Sequence, residues 1–599
     1  MKKETIHNIL SVCLFVLTLT SVSCKQDDPF GNLVQLKAEN GNSMISRSEA
    51  VIFNITSTET GTLATLMSNA ASDKGCQVED VTELTISGKV SFDDLRSLRT
   101  LKRLTKLDLT SITVYDEYGN QCDYLPYGVF DSFASPAHII IPTSINQIHS
   151  SCFASSNIVG VTMHNNITLI DWYAFQYCKK LKEVINWPIG VASIPYGCFW
   201  DCSSLNFEIP SHITSIEDYA FYSCSSLTDV TIPDGVTKIG HCAFEYCSSL
   251  TNVKLSNGLK TIGDRTFNST KISSIKLPEG LKQIGNGVFE NTPLVELTIP
   301  STATSVGDCI VGGCNLLKII KWNSTIDIPR LFYEWENYTT LIYAPTGVTS
   351  HPDNKYVILG DETNGYYTEH FEIIEYSGFV CPIPFTAETV VFRKYYGQAT
   401  YPGVTAGWNT LTLPFDVTKI IIQETGEQPE RTLKPFGSEE MGDAKPFWLR
   451  TLSEDGFIRS TKIEAGTPYL IAFPNNSSYY LPEYNISGTV EYWGEDVTIV
   501  ADPDIQFING PEFDMSGTYK RLNKSMNIYN IDYDEFRDDM YGLYFYGGSL
   551  FRSSIRATEP FEAYLTNNNG STRSYIPIEG NGSTRSSESF NNIPSDNDM

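Results

Sequence analysis

KIGHCAFEYCSSLTNVKLS, residues 238–256, places a histidine, a glutamate and two cysteines within eight positions (240–247). These residue types bind zinc or activate nucleophiles. The neighbouring sequence points elsewhere. SIEDYAFYSCSSLTDVTIP (215–233) precedes the stretch, and TIGDRTFNSTKISSIKLP (261–278) and QIGNGVFENTPLVELTIP (283–300) follow it. The shared text is a repeat, and a repeat fixes the fold before any single residue does.

A phenylalanine marks each unit. Phe130, Phe153, Phe175, Phe199, Phe221, Phe244, Phe267 and Phe289 follow one another at intervals of 22 to 24 residues, Val311 continues the series and Phe332 closes it. In LTDVTIP (227–233), Leu227, Val230 and Ile232 are apolar, whereas Asp229 and Thr231 are polar. The Val–Thr–Ile part alternates as a one-sided strand does. Pro233 ends it, since proline cannot donate to a ladder. Val236 and Ile239 begin the return, Gly240 allows a bend, and Phe244 fills the wide part of the coil. One rung cannot cover its own apolar side. Stacking at about 4.8 Å does, which predicts a parallel solenoid.

The units resemble the BspA-like leucine-rich repeats of bacterial surface proteins. Those read Ile–Gly–x–x–Ala–Phe, with a cysteine three residues on and then a leucine, and the resemblance covers about 80–335. TGTLATLMSNAA (60–71) reads as a helix over the open end, and residues 81–111 as two strands flanking a helix.

The repeat absorbs the apparent chemistry. Cys178, Cys202, Cys224, Cys247 and Cys314 lie three residues after the rung aromatic or Val311, where Ser156, Thr270 and Thr292 stand in other rungs. This predicts a packing position for a small buried residue. His241 and Glu245 occupy places held elsewhere by Asp218 and Tyr222, so neither is singled out. Zinc needs four converging ligands and only His241 joins the cysteines. No metal, cofactor or catalytic residue is expected. Disulfides such as Cys198–Cys202 stay open, because the chain is read as extracytoplasmic. Net charge is −27 without a basic run, which argues against nucleic acid.

Aromatics crowd beside the rung phenylalanines: Trp172, Tyr173, Tyr196 and Tyr219, with Tyr177, Trp200, Tyr222 and Tyr246 as the candidate ligand-binding strip. Such rings bind sugars or proteins at low entropy cost, although they can also simply shield the coil.

At 599 residues two or three domains are expected. Residues 1–23 read as a lipoprotein signal peptide: Lys2 and Lys3 precede an apolar stretch at 9–22 that is short for a membrane span. SVSC (21–24) resembles a bacterial lipobox, with Ser21 where leucine is usual, and implies lipidation of Cys24. CKQDD (24–28) resembles the acidic tag of surface-exported Bacteroidota lipoproteins, interrupted by Gln26. Plain secretion is the alternative. Residues 24–50 are then a tether, 51–335 the solenoid with its cap, and 336–387 a terminal cap and connector. Residues 388–580 are a β-sandwich, and 581–599 a disordered tail. The sandwich rests on short strands with turn signals. It also rests on Trp408–Leu413–Pro414–Phe415, Gly466–Thr467–Pro468–Tyr469 and Pro560–Phe561–Glu562–Ala563–Tyr564, which resemble a C-terminal β-domain of Bacteroidota surface proteins.

The fold class is therefore mainly β. The resemblance implies a protein lipid-anchored in the outer membrane and exposed at the cell surface. It would adhere to a host or neighbouring-cell protein or glycan. A glycan-capture module of a polysaccharide-uptake system is one alternative. A carbohydrate-active enzyme with paired carboxylates within 390–580 is another. All eight histidines lie at or before His370, which removes histidine-based nucleophilic catalysis from the C-terminal part. DYDEFRDD (532–539) lacks the spacing of a calcium hand and reads as a solvated turn.

Overall fold

A computed structural model describes residues 50–333, 339–375, 379–396, 409–423, 430–435, 437–454, 456–473, 488–510 and 513–519. It also describes short pieces at 522, 528–531, 549–553, 558, 560–567 and 575–577. Cys24, Trp408, the acidic stretch 532–539 and the tail 581–599 lie outside the described residues.

Rungs stack in parallel from the first described strand. Ile52–Ser57 pairs with Glu83–Ser91, then Lys106–Tyr115, His138–Ile140, Gly160–Thr162 and Glu183–Ile185 form one sheet in that order. A second side is built from two-residue strands, for example Ser215–Ile216, Lys238–Ile239 and Thr261–Ile262. At the first end lies helix α1, Leu63–Lys74, whose buried Leu63, Met67 and Ala71 recur at helical spacing and face the core. Gly75 ends it in the left-handed region. Helix α2, Phe92–Ser97, begins with a Ser91–Asp94 capping box. Buried Asp94 also accepts from Gly61 N–H at 2.7 Å and Leu63 N–H at 3.2 Å, so one carboxylate ties the starts of both helices together.

Inside the coil the rung phenylalanines form a stacked column. Successive centroids from Phe130 to Phe289 lie 5.1–5.9 Å apart with interplanar angles of 4–19°. Each ring is buried, and offset stacking adds to area burial. Gly263 fits because the rungs nearly touch here: a Cβ on it would lie 2.6 Å from the Gly240 carbonyl carbon.

The cysteine position does more than fill space. Sγ of Cys178, Cys202, Cys224, Cys247 and Cys314 donates to the carbonyl of a rung phenylalanine 25–27 residues earlier, at 2.9–3.1 Å. Thr270 and Thr292 instead bond the phenylalanine carbonyl of their own rung, at 2.9 and 2.8 Å. The twelve described cysteines are free thiols.

The parallel sheet does not stop at residue 335. Glu296–Ile299, Ile319–Trp322, Leu341–Ala344 and Val357–Asp361 pair in parallel, and the same sheet continues through Gly365–Ile374, Phe385–Tyr396 and Gly488–Ile499. Alternation explains the junction. Ile320, Ile342 and Ala344 point into the solenoid core, whereas Ile319, Leu341 and Tyr343 enter a second core shared with Phe371, Phe385 and Phe392. A one-sided rung has become two-sided, which is why all four residues of Leu341–Ala344 are buried. In the C-terminal part the three short motifs converge: Gly466 N–H donates to Leu413 O, and Thr412 N–H to Phe561 O, both at 2.8 Å.

Candidate binding surface

Each phenylalanine turn holds two residues in the left-handed region, two before and two after the ring. Gly128/Ser132, Ser151/Ser155, Gly197/Asp201, Gly287/Asn291 and Cys309/Gly313 show the residues that suit it. In the central rungs tyrosine takes these places instead. Tyr173, Tyr177, Tyr219 and Tyr246 have φ of 59–61°, at an expected cost of about 1–2 kcal/mol each relative to a right-handed backbone. The turn geometry points the rings outward rather than into the coil, where each meets Tyr196, Trp200 or Tyr222.

All four candidate residues are brought together. Trp200 lies 6.4 Å from Tyr177 and 4.8 Å from Tyr222, and Tyr222 lies 5.5 Å from Tyr246 in an edge arrangement. Tyr177 and Tyr246 are 41% and 43% exposed, while Trp200 and Tyr222 are half-buried beneath them. The hub is a residue not among the four. Tyr219 stacks on Trp200 at 5.1 Å and 11°, and lies 5.5 Å from Tyr196 and 5.7 Å from Tyr222. Its signal in the sequence was position, two before Phe221, where glycine or serine serves the fold. Tyr173 joins through Tyr196 at 5.3 Å. Trp172, 62% exposed, stands further out.

The patch is electrically quiet. The Tyr196 hydroxyl is pushed up to about 12, first by its hydrogen bond with Tyr173 and then by burial. Tyr219 is raised chiefly by Cys242, and Tyr222 by burial and then Glu245. These hydroxyls therefore stay neutral at physiological pH. A Lys179–Asp201 pair at 3.0 Å stands nearby on the same turns.

Below the patch the column changes character. The residue after the phenylalanine is Trp200, then Tyr222, then Glu245, Asn268 and Glu290. Glu245 is thus not interchangeable with Tyr222. It is buried, and Arg265 Nε bonds it at 2.9 Å while reaching Glu290 at 3.5 Å. Burial works against the charge on Arg265, but the hydrogen bond and charge of Glu245, with Glu290, hold its pKa above the ordinary value. Asn268 Nδ2 and the Tyr333 hydroxyl also donate to Glu290.

His241 also has a defined task. Asp218 Oδ1 accepts from His241 N–H at 2.8 Å, and His241 Nδ1 accepts from Asp264 N–H at 3.0 Å. Asp264 and Asn286 repeat the pattern toward Asn286 N–H and Asp308 N–H, both at 2.8 Å. His241 is one step of an inter-rung ladder. Among the described residues no group of three or more His, Cys, Asp or Glu is arranged to hold a metal ion.

A search of curated proteins gave no match. A leucine-rich repeat protein from Bacteroides ovatus is 16% identical over 50% of this chain and 72% of its own, with a TM-score of 0.29. A leucine rich cell surface protein from Faecalibacterium prausnitzii is 21% identical over 38% and 88%, TM-score 0.25. The T. pallidum leucine rich repeat protein is 25% identical over 30% and 77%, TM-score 0.23. The family model described as "BspA type Leucine rich repeat region" matches in six copies over residues 104–225 and 192–318. The rungs from 104 to 318 thus match a BspA-type leucine-rich repeat region.

Proposed function

We propose that this chain is an adhesion protein that binds a partner protein through the aromatic patch centred on Trp200, Tyr219 and Tyr222. One observation carries the reading. The fold accepts glycine, serine or asparagine at the left-handed positions, yet four central ones hold tyrosine whose rings pack on Tyr196, Trp200 or Tyr222 at the surface. A buried-core role would not require that geometry. Neutral aromatic rings with half-buried anchors and exposed edges are the composition of a protein-contact hot spot. The repeat region supports protein binding, since a stacked solenoid presents a long rigid surface. Binding rather than catalysis is the activity.

In the same reading Cys24 carries the lipid, residues 24–50 tether the solenoid to the outer membrane facing outward, and the strands beyond 388 form a β-sandwich. The test is a binding screen of the mature chain, without its lipid, against matrix proteins and glycans. A Trp200→Ala/Tyr222→Ala variant is run beside it. Binding to a protein that the variant loses is expected; equal binding by the variant refutes the patch. A glycan as the only ligand would move the protein into the glycan-capture class. Labelling of intact cells with a membrane-impermeant reagent, lost with Cys24→Ser, tests the anchor and its side.

A further inference from the structure

The solenoid contains a dislocation. From the rung leucine to the proline or its equivalent the usual interval is six residues, as in Leu227–Pro233 and Leu294–Pro300. Leu181–Pro188 has seven and the next rung, Leu205–Pro210, has five. The extra residue is accommodated by Asn186 at φ 58°. The shortened rung, 206–209, forms no strand, so the sheet ending in Glu183–Ile185 and the pair beginning at Asp229–Thr231 are separate. A one-residue insertion and a one-residue deletion cancel over two rungs but leave a cavity between them.

This cavity has a volume of about 690 Å³, within the range of ligand sites. Its apolar lining includes Val184, Phe207 and Pro210, and its acidic groups are Glu183 and Glu208; no lysine or arginine lines it. Among the described residues Glu208 has no ion-pair partner, and Glu183 meets only His138, at 3.3 Å. His212 is already engaged with the Pro188 carbonyl at 3.1 Å. The two strands flanking the cavity each have a strand partner on one side only: Glu183–Ile185 pairs with Gly160–Thr162, and Asp229–Thr231 with Asn252–Lys254.

We propose that this cavity is a second contact site, separate from the aromatic patch, which takes an extended segment of a partner polypeptide bearing a lysine or arginine. A basic side chain matches it in both parts. Its aliphatic stem covers the apolar floor while its charged head reaches the carboxylates. The flanking backbone of the partner runs along rung 206–209, which forms no strand of its own although Asn206 N–H donates to Lys182 O at 3.0 Å.

The experiment uses the mature chain and a heptapeptide with one central arginine, beside lysine, citrulline and glutamate versions. The arginine and lysine peptides should bind, the citrulline and glutamate peptides at least tenfold more weakly. Glu208→Gln should weaken the arginine peptide about tenfold without changing the circular dichroism or melting temperature. Binding of the arginine peptide should fall as salt rises from 0.05 to 0.5 M. Citrulline binding as well as arginine, no change in E208Q, or no binding by any peptide would each overturn the site. The Trp200→Ala/Tyr222→Ala variant should bind the arginine peptide like wild type, so this proposal and the adhesion reading fail separately.

Discussion

Cys247 Sγ donates to the Phe221 carbonyl at 3.1 Å, a bond that joins one rung to the previous one at the centre of the coil. The same carbonyl also accepts from Cys224 N–H at 3.1 Å, so the thiol uses its second lone pair. The position therefore selects a small donor rather than any small apolar group. Cys247→Ser should hold stability within about 1 kcal/mol, whereas Cys247→Val should lose about 1–2 kcal/mol by removing the donor and crowding the column. Thermal unfolding of the two variants checks this. A valine variant as stable as wild type would return the position to pure packing.

The rungs were legible because stacking repeats one physical problem many times. Phenylalanines at 22–24 residues and alternating Val–Thr–Ile runs leave few other folds. The aromatic strip was legible for the same reason, as columns of equivalent positions. Glu245 and Arg265 were not, since they are 20 residues apart and their pairing depends on which way a left-handed turn aims Arg265. The cavity was written in the text as intervals of seven and five, but reading it required knowing that strand pairing fails there. The shared sheet beyond Ile319 was hidden because burial on both faces depends on a domain distant in sequence.

Stability should fall as pH rises above about 9. Burial pushes the Cys247 thiol up from about 9 to about 12, and raises Cys152, Cys198, Cys202 and Cys224 as well. An unfolded thiol ionises near 9 while the native one keeps its proton, so the native state binds more protons in this window. The raised native pKa contributes stability fully present below pH 9 and lost toward pH 12, at about 1.4 kcal/mol per pH unit per thiol. Melting temperature should decline between pH 9 and 10.5, and less steeply in Cys224→Ser/Cys247→Ser. An unchanged slope in that double variant would assign the decline to other groups.

Removing Arg265 should be costly. Arg265→Met leaves Glu245 and Glu290 facing each other with little solvent to separate them. Breaking a fully buried pair costs about 3–5 kcal/mol, but the arginine side chain is 43% exposed and water screens part of the loss. We expect about 2 kcal/mol at neutral pH, with part regained in Arg265→Met/Glu245→Gln. Denaturant titration of the single and double variants measures the coupling.

Tyr246 should separate folding from binding. Asparagine tolerates the left-handed backbone better than tyrosine does, so Tyr246→Asn relieves a cost of about 1 kcal/mol while losing an edge contact with Tyr222 worth about as much. The melting temperature should stay level or rise, while adhesion weakens by tenfold or more. A variant that binds normally would show that the tyrosine edge lies outside the contact.

His241 offers the last test, because its neighbours explain it without chemistry. Its Nδ1 accepts from Asp264 N–H at 3.0 Å and lies 3.3 Å from the Asp264 carboxylate. In the ladder the equivalent acceptors are carboxylate or amide oxygens, those of Asp218, Asp264 and Asn286. Any short acceptor should therefore serve. His241→Asn should melt as wild type does, and His241→Leu should lose about 0.5–1 kcal/mol, since Asp264 N–H is near enough to solvent for water to replace part of the bond. Added zinc should shift the melting of neither variant nor wild type. A zinc-dependent rise in wild type that vanishes in His241→Asn would mean that the histidine and its adjacent cysteines form a site after all; equal melting of the leucine and asparagine variants would instead show that the ladder bond contributes nothing.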